Sequence, residues 1–172
     1  MMRTERTELP APAPDPAAAG EAQAVVIGVG NEFRRDDGAG PAVVARLRGL
    51  TPPGARLVVT DGEPARLVEA WTGAALAVVV DAVRADPPQP GRVHRLVLDR
   101  PRPTSQAASS HGLGLDDAVA LAVALDRMPG RLIVHAIEAA DLGQGPGLTP
   151  PVAAAVAAVA DAVLADLRAP SS

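Results

Sequence analysis

Apolar and polar positions alternate along the chain in a way that separates strands from helices. Val25–Gly30 (VVIGVG) and Leu76–Val83 (LAVVVDAV) are short, nearly unbroken apolar runs. Such runs mark strands buried on both faces of a sheet. Arg56–Thr60 (RLVVT) and Arg131–Ile137 (RLIVHAI) read the same way, while Arg92–Leu98 (RVHRLVL) alternates like a half-exposed strand. Helical spacing appears in Gly40–Leu50 through Val43, Val44 and Leu47, and in Pro64–Trp71 through Leu67, Val68 and Trp71. Leu113–Met128 is amphipathic, and Thr149–Leu167 is a long helix that Thr149 is placed to cap, with Pro150 and Pro151 in its first turn. The order strand–helix–strand–helix–strand predicts an α/β fold: a three-layer α/β/α sandwich around a mixed, mostly parallel five-stranded sheet. Only a short Pro/Gly loop separates the third strand from the fourth, too short for a helical crossover, so the fourth is expected to run antiparallel.

The ends differ from this core. Residues 1–22 are rich in Pro, Ala and charge and cannot bury enough apolar area to offset their ordering entropy. They are expected to form a flexible leader, residues 23–169 a single domain, and residues 170–172 a frayed tail. The 172 residues leave no room for two ordinary domains. No apolar run reaches membrane-span length and the N-terminus carries no secretory signal, so no membrane insertion is expected.

Composition narrows the chemistry. There is no Cys, which excludes disulfides, a thiol nucleophile and metal sites held by the chain's own thiolates. There is no Lys, which excludes the phosphate-binding loop built around one. Aromatic residues are 1% of the chain and the formal charge is −4, so neither base stacking nor a basic surface favours nucleic acid. The abundance of Arg, Ala, Gly and Pro reads as codon-composition bias.

In an open α/β sheet, function gathers at the carboxyl ends of the strands. There the sequence places Gly28–Gly40 (GVGNEFRRDDGAG), Asp61–Pro64 (DGEP), Asp81 and Ser109–His111 (SSH). Gly28 and Gly30 suggest a dinucleotide fingerprint, but Phe33 occupies the third glycine position, and two adjacent carboxylates repel a pyrophosphate. Asp37, Asp81 and His111 come from three elements at one predicted edge. Two carboxylates and an imidazole make a first shell for a divalent transition metal. A helix-capping role competes for Asp36 or Asp37 and for His111. Asp81 ends an apolar strand, where a carboxylate is costly unless bonded or used. His94 and His135 lie within strand patterns and are expected to be structural. Ser109 and Ser110 adjoin His111, a placement that suits a cap better than a nucleophile and its base.

Gly28–Gly40, Val78–Val83 (VVVDAV), Ser109–Leu115 (SSHGLGL) and Ile137–Pro150 (IEAADLGQGPGLTP) resemble the hydrogenase maturation endopeptidases. The resemblance runs in order over roughly residues 24–165. It implies an α/β/α sandwich and an aspartic-type peptide hydrolase of the cytoplasm. It implies removal of the C-terminal extension of a nickel–iron hydrogenase large-subunit precursor once nickel is in place. It assigns nickel recognition to Asp37, Asp81 and His111, and the catalytic carboxylate to Asp37 or Asp81. Nickel is then expected in the precursor rather than permanently on this chain, whose site lacks thiolates. Glu32 and Phe33 stand where the family often has an aliphatic pair, and Asp61–Pro64 replaces Asp-Gly-Gly-Thr in a segment the resemblance sets against substrate. Two other readings accompany it: a non-proteolytic metal-dependent checkpoint or chaperone for hydrogenase assembly, and a Rossmann-like nucleotide-binding module.

Overall fold

A computed structural model describes residues 23–99 and 114–169. The expected leader and tail lie outside these residues, as does His111. The strands are β1 (Ala24–Val29), β2 (Ala55–Thr60), β3 (Leu76–Val83), β4 (Val93–Asp99) and β5 (Arg131–Glu138). The helices are α1 (Ala39–Leu47), α2 (Pro64–Trp71), α3 (Gly114–Ala124) and α4 (Pro150–Arg168), with a short 3₁₀ turn at Arg35–Gly38 before α1. The sheet order is β2-β1-β3-β5-β4. All neighbours pair in parallel except β4, which runs antiparallel to β5, as the short connection requires.

Alternate positions on the central strands feed two cores. Val26, Val78, Val80 and Ile133 pack against α1 and α4 through Val43, Leu47, Val156 and Val159. Val25, Ile27, Val79 and Leu132 pack against α2 and α3 through Leu67, Trp71, Ala118 and Ala122. The three layers follow from this period of two on strands that bury both faces.

Several boundaries moved. α1 stops at Leu47, with Gly49 in the left-handed region at φ +75°. α3 stops at Ala124, and Asp126 turns the chain at φ +53°. The expectation that no stretch has membrane-span character needs correcting at α4. Its 19 residues include an 18-residue window of mean hydropathy 1.6, enough to cross a membrane by length and composition. Here Val152, Val159 and Val163 of that helix are buried in the core.

The chain leaves β1 for β2 on one side and reaches β3 on the other. The strand order therefore reverses between β1 and β3, the position at which open α/β sheets bind their ligands at the carboxyl ends. The start of α1 lies directly on this point. A Cβ on Gly40 would stand 2.4 Å from the Val29 carbonyl oxygen and 2.6 Å from that of Val80, so only glycine permits the approach.

Candidate functional site

Asp81 lies on β3, the central strand, one residue beyond the last β1 pairing at Gly28–Val80. It is 3% exposed. Burial pushes its carboxyl up to about 8; the Ala82 N–H pulls the other way, and the nearby charge of Asp37 adds to the rise. At neutral pH this group holds its proton.

Asp37 sits in the 3₁₀ turn, half-buried, and accepts a hydrogen bond from the Asn31 N–H at 3.0 Å. Asn31 in turn accepts from the Phe33 N–H through Oδ1 at 2.9 Å. Gly30 is what lets the loop close. It takes φ +131°, and a Cβ there would fall 1.9 Å from the Asp37 carbonyl oxygen. The glycines of the GxG segment thus serve close packing, and the space a phosphate would need beside Gly30 is filled by Asp37. This removes the support for the nucleotide-binding reading.

The adjacent acid, Asp36, does different work. It is fully buried and faces away, toward the 139–149 loop. Its carboxylate accepts from the N–H groups of Ala140 (2.8 Å), Asp141 (3.0 Å) and Thr149 (2.7 Å), and from the Thr149 hydroxyl (2.8 Å). Burial alone would raise its pKa, but these donors outweigh it and hold the carboxyl below the usual value. Thr149 precedes α4 but makes no side-chain cap; its hydroxyl is committed to Asp36. Arg35 continues the seam. Its N–H donates to the Gly145 carbonyl, and its guanidinium to the Gln144 and Pro146 carbonyls.

The Asp61–Pro64 segment opens α2. Glu63 is the N-cap, accepting from the Ala65 and Arg66 N–H groups, while Asp61 accepts from the Glu63 N–H and pairs with Arg66 at 3.1 Å. The structural expectation for the two strand histidines holds. His94 pairs with Glu138 at 2.6 Å, and His135 with Asp166 at 2.8 Å. Asp166 also holds Arg95. Burial would raise the pKa of Asp166, yet Arg95 and His135 bring it below normal. For Glu138 the His94 contact comes first in lowering it.

Asp81 therefore stands apart from Asp36, Glu138 and Asp166. Asp36 and Glu138 are buried and Asp166 half-buried, each with donors that stabilise the anion. Asp81 is buried beside another carboxylate, with one backbone N–H in support. A buried carboxylate with so little support for its charge is a candidate functional group. Among the described residues no cluster of three or more acidic or imidazole groups is placed to hold a metal ion. Asp37 and Asp81 supply two groups, and His111 lies three positions before α3 in the sequence.

The sequence from residue 41 to 166 matches the family described as hydrogenase maturation protease. The chain belongs to that family. The match includes positions 81 and 111 and begins four residues after Asp37. The structure resembles the hydrogenase maturating endopeptidase HybD from E. coli at 25% identity, covering 85% of this chain and 92% of that one, with a TM-score of 0.71. It resembles the [NiFe] hydrogenase maturation protease HybD from Thermococcus kodakarensis at 25% identity, over 85% and 99% of the two chains, with a TM-score of 0.66. HycI of Thermococcus kodakarensis KOD1, at 20% identity and a TM-score of 0.62 over 88% and 96%, shares the fold. No curated protein matches the sequence significantly.

Proposed function

We propose that this protease removes the C-terminal extension of a nickel–iron hydrogenase large-subunit precursor after nickel insertion, in the cytoplasm. Family membership supports the endopeptidase role. The observation that carries the site is the buried Asp81 beside Asp37, a carboxylate poised to give up its proton when a cation approaches. In this reading nickel belongs to the substrate. Asp37, Asp81 and His111 meet the ion held by the precursor and set the scissile amide at the carboxyl ends of the strands. Asp37 or Asp81 takes a proton from water, whose oxygen attacks the amide carbon, and the departing amine carries a proton away. The test is to remove this chain from its host and weigh the hydrogenase large subunits intact. A subunit that keeps its extension and its nickel supports the reading; mature subunits throughout overturn it.

The same reading fixes a pH dependence. The anionic form of Asp81 is needed both to meet a cation and to act as base, and that form is scarce below pH 8. The kcat/KM for nickel-loaded precursor is expected to rise from pH 6, bend near pH 8 and level off above it, approaching tenfold per unit at the acid end. A flat profile over this range removes Asp81 from both roles.

A further inference from the structure

Among the described residues, strand β2 is an edge of the sheet, paired with β1 alone. The direction of its hydrogen bonds follows from its two ends. The Gly54 carbonyl accepts from the Ala24 N–H, and the Thr60 carbonyl from the Gly30 N–H. In an extended strand a residue turns its N–H and C=O to one side, and the next residue turns them to the other. Arg56, Val58 and Thr60 therefore bond inward to β1, and Leu57 and Val59 present their main-chain groups outward. Val59 is also 49% exposed, although large and apolar. A groove of about 280 Å³ runs beside this edge, between Val58–Thr60 and the Arg66–Ala70 side of α2.

Exposed edges with open hydrogen-bonding groups capture extended chains, and proteins that keep one open without use risk aggregation. This edge leads into the candidate site. Thr60 is bonded to Gly30, and Gly30 is in contact with Asp37. An endopeptidase must also bind the main chain next to the bond it cuts, and main-chain hydrogen bonds to an added strand supply that affinity.

We propose that β2 binds the segment of the large-subunit precursor next to the scissile bond as an added strand, hydrogen-bonded to Leu57 and Val59. This inference rests on the endopeptidase reading above. Continuity between the edge and the Asp37 loop selects that occupant over a second copy of the chain.

The test uses nickel-loaded precursor from a host lacking this protease, cut by the full chain and by its Val59→Pro variant. Proline removes an N–H that bonds to nothing inside the sheet, and its ring blocks the outer edge, so folding is retained while strand addition is lost. KM is expected to rise about tenfold with kcat within twofold. Pulsed amide exchange with excess precursor is expected to slow at Leu57 and Val59 in the unsubstituted chain, which decides the matter if the variant fails to fold. Unchanged KM in a folded variant, or unchanged exchange, overturns the proposal. So does a variant that only shifts a dimer to a monomer by light scattering, since that assigns the edge to a second copy. Failure of the unsubstituted chain to cut the precursor is a different result, and it overturns the endopeptidase reading itself.

Discussion

Asp81→Asn is expected to abolish precursor processing while making the protein more stable at pH 8. The two effects share a cause. Asparagine keeps the size of the side chain but supplies neither an anion nor a base, so cleavage should fall about a thousandfold or more. The stability gain follows from proton linkage. In the unfolded chain this carboxyl has a pKa near 3.8, and in the folded state about 8. Between these values the native state holds a proton that the unfolded state has released, so stability falls as pH rises through that window. Asparagine does not titrate. The Tm difference between variant and parent should thus be near zero at pH 4 and grow up to about pH 8. There it should reach ~2 kcal/mol or more, about 5 °C for a domain of this size. Thermal melts at pH 4, 6 and 8 check this. A variant that is inactive but no more stable at pH 8 than its parent would mean that Asp81 is not a strained acid. Full cleavage by the variant would remove it from the site.

The fold was legible because both of its main signals are local. Apolar runs of six to eight residues mark β1, β3 and β5, and the short connection after β3 dictates that β4 turns back. Pro64 at the first turn and Trp71 at the last fixed α2 to the residue. Where boundaries slipped, the cause was also local but weak. Leu125 and Met128 continue the apolar pattern past Ala124, and a left-handed Asp126 ends α3. At α4, length and composition alone fit a membrane span, while a third of that window, with Val152, Val159 and Val163 in it, packs into the core.

The site was legible only in part, because sequence shows which acids exist but not which way they face. The adjacent pair Asp36 and Asp37 offered two equal candidates as a cap. The structure divides them: Asp37 accepts from Asn31 and lies near Asp81, and Asp36 faces the 139–149 loop. The partner of Asp36 is 113 positions away at Thr149, a separation that no spacing rule reaches. The same holds for Arg95, His135 and Asp166, which meet from β4, β5 and α4. Composition did give one indirect signal. A loop as glycine-rich as Gly143–Gly147, running into a Thr-Pro-Pro helix start, has backbone groups that must be satisfied from elsewhere. Asp36 and Arg35 satisfy them.

That seam carries the second large effect. Asp36→Ala is expected to destabilise the protein by about 3 kcal/mol, since it removes the buried acceptor shared by three part-buried N–H groups and a hydroxyl. A fall in Tm of roughly 10 °C corresponds to this for a chain of this length. The sign of its pH dependence is opposite to that at Asp81. The folded-state pKa of Asp36 lies below 3.8, so its contribution is fully present above that value and is lost as pH falls through the lower folded value. The gap between parent and Asp36→Ala should therefore be constant from pH 5 to pH 8 and shrink in stronger acid. Asp36→Asn keeps one acceptor oxygen and should fall between the two. It also separates support from chemistry. Arg35 bridges to Gly145 on one side of Asp36 and Asp37 follows on the other, so loosening the seam displaces the carboxylate beside Asp81. A folded Asp36→Asn protein is expected to lose processing at 25 °C, well below its melting point, with kcat reduced more than KM is raised. If it cuts the precursor at the parent's rate, the seam holds the fold together and leaves Asp37 in place by other means.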